Sequence, residues 1–126
     1  MIFPFRYAKD RVIKARFAVK SKHMDISIII VSYNTAALTL DCLKSLSLAQ
    51  GNKEIFVVDN ASTDGSVEAI RNHFPEVRII ANSANRGFGT ANNQALKLSH
   101  GRYIVFLNPD TTVKSDSLTK AVSFMD

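Results

Sequence analysis

The sequence predicts an α/β fold, a parallel sheet in which each of four strands is followed by a helix. Three observations lead there. Short apolar, largely β-branched runs recur at 26–32, 54–59, 77–81 and 103–107. Each gives way to a stretch with apolar residues at helical spacing. The intervals between runs are long enough for the helical crossovers that parallel pairing needs, and such crossovers are right-handed.

The first run holds Ile26, Ile28, Ile29, Ile30 and Val31. It is too short to span a membrane and apolar on both faces, as a strand covered on both sides must be. We expect it to be central, in a 3-2-1-4 strand order. Residues 35–49 follow as a helix, with Leu40, Leu43 and Leu46 on one side, Leu38, Cys42 and Ala49 nearby, and Gly51 as its stop. Ile55 to Val58 is the second strand. A helix over 64–74 carries Val67, Ile70 and Phe74 at helical spacing. Thr63 or Asp64 can cap it, and Pro75 ends it. After the third strand, a helix over 88–98 places Phe88, Ala91, Ala95 and Leu98 on one face. The fourth strand runs to Leu107, and a last helix over 115–125 presents Leu118, Ala121, Val122 and Met125.

The chain of 126 residues suits one domain. Its net charge of +5 is unevenly spread. Residues 1–23 carry seven basic side chains against one acid, Asp10, while the remainder is close to neutral. The basicity thus belongs to an N-terminal segment, and the globular part gives no reason to expect a nucleic-acid partner. We divide the chain into a basic tail, 1–23, and a folded unit, 24–126. The tail lacks the apolar core of a signal peptide. It reads either as a disordered tail or as a weakly amphipathic segment, pairing Ile13 with Phe17 and Phe3 with Tyr7, that touches an anionic membrane surface. One cysteine, Cys42, excludes an internal disulfide, and with three scattered histidines no zinc ligand set is visible.

In open parallel sheets ligands bind beyond the carboxyl ends of the strands. Here every exit is polar: Ser32-Tyr33-Asn34, Asp59-Asn60-Ala61-Ser62, 82–87, and Asn108-Pro109-Asp110. A nucleoside diphosphate needs a flat surface for its base, acceptors for its hydroxyls and positive charge for its phosphates. Tyr33 offers the surface, Asp59 an acceptor, Asp110 a hard anionic ligand for a divalent metal, and Arg86 a cation, with Gly87 and Gly89 allowing close approach. Each residue alone has a plainer account. Tyr33 suits packing, Asp59 a turn, Arg86 a solvated loop and Asn-Pro-Asp a turn. Asp64 reads as a cap. "GFG" at Gly87 to Gly89 lacks the third glycine and the first-strand context of a dinucleotide fingerprint.

Four segments taken together, "IIIVSYN", "IFVVDNASTDGS", "NRGFGTANNQAL" and "GRYIVFLNPDTTV", resemble the successive motifs of glycosyltransferase family 2, of the GT-A fold, and among its members the rhamnosyltransferase-like ones. The resemblance covers residues 25–126. It implies a nucleotide-sugar donor, dTDP- or UDP-linked, inverting transfer to a sugar acceptor, free or lipid-linked, and a place in cell-surface polysaccharide synthesis at the cytoplasmic face of the membrane. It implies nucleotide contacts from Ser32, Tyr33, Asp59, Asn85, Arg86 and Asn108, and Mg²⁺ or Mn²⁺ held by Asp110. Asn108 stands where the family's metal motif has its first Asp, a departure that related members share and that leaves one carboxylate instead of two.

An inverting transfer also needs a general base. The resemblance places that carboxylate well downstream, and the sequence stops sixteen residues after Asp110. No catalytic residue is identified. We therefore expect a truncated donor-binding half, or a nucleotide-binding module without activity. We further expect an uncovered sheet edge beside the fourth strand, apolar surface on the last helix, and self-association into a homo-oligomer.

Overall fold

The computed structural model describes residues 2–4 and 24–126. Five strands form one sheet: β1 (Ile2–Pro4), β2 (Met24–Ser32), β3 (Lys53–Asp59), β4 (Arg78–Ala81) and β5 (Gly101–Leu107). Four helices accompany them: α1 (Ala36–Leu48), α2 (Ser66–His73), α3 (Phe88–Leu98) and α4 (Ser117–Met125). The spatial order is β1-β5-β2-β3-β4. The four expected strands are parallel, in the expected 3-2-1-4 order, with β2 between β3 and β5.

Alternation along β2 explains its unbroken apolar run. Ile26, Ile28 and Ile30 enter a core with Cys42, Leu43 and Leu46 of α1, Ile70 of α2 and Leu118 of α4. Ile29 points the other way, into a smaller core with Phe56, Val58 and Ile104 under Ala91 and Ala95 of α3. All four isoleucines are essentially inaccessible, and each stabilises the fold by about 1.5–3 kcal/mol through burial. On α3 the expected apolar face is corrected. Its buried residues are Ala91, Asn92 and Ala95, while Phe88 and Leu98 stand exposed at its two ends. Small methyl groups let the helix lie close to the sheet, so the large residues project past it.

One further expectation is overturned, and another holds in part. The segment 1–23 is not wholly a tail: Ile2–Pro4 pairs antiparallel with β5, matching Ile2 to Val105 and Pro4 to Tyr103. The edge beside the fourth strand is therefore covered, and Phe3 lies in a strand instead of on a helix face shared with Tyr7. The proposed Ile13–Phe17 face and the membrane contact fall outside the described residues. The last helix also packs better than expected. Leu118 is buried in the main core with Val122 against it. The Asp126 carboxylate closes the helix onto the sheet, accepting from Arg102 Nη1 at 2.9 Å and from the Tyr103 hydroxyl at 2.5 Å. Phe124 does remain 89% exposed. Among the described residues no helix is long and apolar enough to cross a membrane.

Candidate functional site

Register brings the strand exits to one edge. Ser32 pairs with Asp59, and Asp59 with Ala81, so β2, β3 and β4 end in one row. Ile30 pairs with Leu107, which puts the Asn108-Pro109-Asp110 turn at the same end.

Asp59 is 2% exposed. Its Oδ2 accepts from the Ser62 backbone N–H at 2.9 Å, the turn chemistry its sequence context suggests. Its Oδ1 is fully buried and has no hydrogen-bond partner among the described residues. A buried oxygen left unpaired costs about 1–3 kcal/mol, so this atom calls for a donor that the described residues do not supply. Ser32, beside it, turns its hydroxyl inward. Ser32 Oγ lies 3.1 Å from Thr35 Oγ1 and 3.2 Å from Thr39 Oγ1, and its side chain is fully buried. What Ser32 contributes at the exit is its carbonyl, which accepts from Asn60 N–H at 2.9 Å.

The Tyr33 side chain is free to act as a surface, at 52% exposure. The backbone around it is fastened from the β3 exit. Asn34, at a φ of 51°, donates its N–H to Ser62 Oγ at 2.8 Å, and its Oδ1 accepts from Thr63 N–H at 2.8 Å. Asp64 is a cap, as expected, but for two helices. Its Oδ2 accepts from Ala36 N–H at the start of α1, at 3.0 Å. Its Oδ1 accepts from Ser66 N–H at the start of α2, at 3.1 Å, and from the Ser66 hydroxyl. These bonds, that from the Ser66 hydroxyl first, hold its carboxyl below the ordinary range.

On the other side, residues 83–87 are all exposed. Asn85 Oδ1 accepts from Gly87 N–H at 2.9 Å, tightening the turn, and Gly87 at a φ of 80° adopts a conformation that suits glycine. The Arg86 guanidinium has no ion-pair partner among the described residues. At the end of β5, Asn108 and Asp110 are both exposed, and Thr111 N–H donates to Asn108 O at 3.0 Å. The Asp110 carboxylate accepts no hydrogen bond among the described residues. It lies near enough to act on Cys42, whose thiol is pushed up to about 11 by burial first and by Asp110 second.

Among the described residues no three His, Cys, Asp or Glu side chains gather as a metal cage. Asp110 with Asn108 nonetheless fits a hard cation of the Mg²⁺ kind, which is commonly held by one or two carboxylates and completed by substrate phosphates. No hydrogen bond joins Asn108 or Asp110 to Asp59 or Arg86.

Sequence reasoning missed Asn60, Asn82 and Gln94, which form a partly buried amide network beneath Arg86, and Asn92, whose buried Oδ1 has no partner among the described residues. Amides in polar loops carry no periodic signal, so only the folded geometry distinguishes them from ordinary turn residues.

Residues 27–126 match the family model "Glycosyl transferase family 2". A poly(ribitol-phosphate) beta-glucosyltransferase of Bacillus spizizenii is 33% identical over 108 residues, covering 80% of this chain and 17% of that protein. Among solved structures, a fragment of S. aureus TarS in complex with UDP superposes with a TM-score of 0.76 at 27% identity, over 82% of this chain and 32% of that one. The mannosyltransferase PcManGT of Pyrobaculum calidifontis, in complex with GDP-Man and Mn²⁺, gives 0.73 at 26% identity, over 91% and 39%. The chain therefore spans well under half the length of each of these relatives.

Proposed function

Because the chain belongs to glycosyl transferase family 2, we propose that it binds the nucleoside diphosphate of a UDP- or dTDP-sugar at the strand-end edge, with Mg²⁺ or Mn²⁺. The observation that carries this reading is Asp59 Oδ1, buried at the end of β3 without a partner among the described residues, with the exposed Tyr33 just past the end of the neighbouring strand β2. A pyrimidine N–H or a ribose hydroxyl satisfies that oxygen, while Tyr33 packs on the base face. Arg86 meets a phosphate or the base edge, with Asn85 shaping its turn. Asp110 and Asn108 supply oxygen ligands to the cation. When bound, that cation neutralises charge on the departing diphosphate during inverting transfer. The complexes of TarS with UDP and of PcManGT with GDP-Man and Mn²⁺ support this chemistry.

Asp116 is bound to Lys120 at 2.7 Å, and Asp126 to Arg102 and Tyr103. Both carboxylates are thereby engaged within the chain. We read the chain as supplying the donor-binding part of a glycosyltransferase in polysaccharide synthesis. The second reading, a nucleotide-binding module with no catalytic role, draws on the same two engaged carboxylates. Calorimetry with UDP and dTDP, with and without Mg²⁺, tests the site. Asp110→Ala should abolish the metal-dependent part of the affinity, about tenfold for one lost charge-assisted contact. Equal affinity of Asp110→Ala and wild type in Mg²⁺ would remove the metal role. Sugar transfer by the purified chain would overturn the second reading.

A further inference from the structure

Beneath the exposed 83–87 loop sits a closed network of side-chain amides. Asn60 is 2% exposed at the exit of β3. Its Oδ1 accepts from Asn82 Nδ2 at 3.0 Å and from the Arg86 backbone N–H at 3.3 Å, and its Nδ2 donates to Gly87 O at 3.2 Å. Asn82, just past β4, forms a reciprocal pair with Gln94 of α3. Asn82 Nδ2 donates to Gln94 Oε1 at 2.8 Å, and Gln94 Nε2 donates to Asn82 Oδ1 at 2.9 Å. The backbone joins in, with Asn82 N–H donating to Asp59 O at 2.8 Å.

The arrangement is self-consistent in a way that identifies it as built. Both hydrogens of Asn82 Nδ2 are used, one toward Asn60 and one toward Gln94. Turning any of the three amides over would set donor against donor or acceptor against acceptor. A polar network satisfied throughout is rigid, and one member missing leaves the others unpaired in a partly buried place. The loop it holds has no apolar anchor, since 83–87 are all exposed. Three elements, the exits of β3 and β4 and the body of α3, thus converge through amides on the two residues Arg86 and Gly87.

We infer that Asn60, Asn82 and Gln94 are positioning residues for Arg86 in nucleoside diphosphate binding; the inference rests on the donor-site reading above. None of the three needs to touch the ligand. Their effect is to hold the Arg86 backbone in place before binding, so that less conformational freedom is lost when the guanidinium meets a phosphate or base.

A double-mutant cycle tests this in the 126-residue chain, with binding of UDP and dTDP in Mg²⁺ read by calorimetry and folding by a thermal melt. Gln94→Leu should keep a cooperative melt and weaken binding of the preferred nucleotide about tenfold, the worth of the partly buried hydrogen bonds it removes. In an Arg86→Ala background the same substitution should have no further effect, because the residue being positioned is gone. A purely structural role would not give that cancellation. If Gln94→Leu fails to fold, Gln94→Asn, which shortens the side chain by one methylene and opens both contacts, carries the same expectation. Wild-type affinity in the Gln94 variant overturns the inference, as does a loss that persists undiminished without Arg86. Absence of any binding by wild type overturns the donor reading and this inference with it. Binding by wild type with no change in the variant overturns this inference alone.

Discussion

The two ends of the sheet treat charge in opposite ways. At the end where the parallel strands begin, charges are matched within the chain. Arg102 lies against Asp25 at 3.0 Å and Asp126 at 2.9 Å, with its guanidinium 5.2 Å from the Tyr103 ring centroid. The mostly buried Glu54 accepts from Ser27 at 2.5 Å and from the His100 N–H, and it faces Arg78 at 3.8 Å. At the end where the strands finish, Arg86 and Asp110 stand exposed, and Asp59 keeps a buried oxygen unpaired. The first end holds the fold together. The second leaves polar groups, Asp59 Oδ1 among them, without partners among the described residues, which costs stability.

Substitutions at the two ends should therefore have opposite signatures. The largest effect is expected at Gly101, in the paired end. A Cβ there would lie 2.4 Å from Ser27 N and 2.7 Å from Ile26 C and Ser27 Oγ. The backbone must move, and Gly101→Ala should cost about 3 kcal/mol in chemical denaturation, the upper range for overpacking. An unchanged denaturation midpoint would show that β5 and β2 can separate freely.

Asp59→Asn should sharpen the contrast at the open end. The amide retains an acceptor for Ser62 N–H while removing a carboxylate whose second oxygen is unpaired. Nucleotide affinity should fall about tenfold, while stability stays level or rises by about 1 kcal/mol. A variant that loses stability and keeps its affinity would mean that Asp59 serves the fold.

Arg102→Ala should reverse that pattern, with a stability loss of about 1 kcal/mol, modest because its ion pairs are partly exposed, and no change in nucleotide affinity. Weaker binding would indicate that the two ends are coupled through β5.

The smallest effect concerns Asp64, which joins the loop after β3 to α1 and α2. Its pKa is lowered in the fold by hydrogen bonds, that from Ser66 foremost. A lowered carboxyl stabilises above its ordinary value of 3.8 and loses that contribution as pH falls through the folded value. Melting of wild type and Asp64→Ala should differ near neutrality, by the roughly 1 kcal/mol of a lost cap, and converge in acid. A difference that is independent of pH would rule out the ionised carboxylate as the cap.

The sequence by itself determined the parallel order, the central place of β2, the buried isoleucines and the polar character of all four exits. Those features rest on periodicity and on chain geometry, which act locally and repeat. It also singled out Tyr33, Asp59, Arg86 and Asp110, because strand ends are predictable once strands are. The tertiary structure alone decided that Ile2–Pro4 covers the edge of β5, since three residues are too few to show a period. It decided that α4 is fastened by Asp126, that the Ser32 hydroxyl turns inward, and that Phe88 faces out. It also revealed Asn60, Asn82 and Gln94 as one network, although they lie 12 to 34 residues apart along the chain. A side-chain amide can pair with almost any polar neighbour, so its role is settled only when folding selects which neighbours it meets.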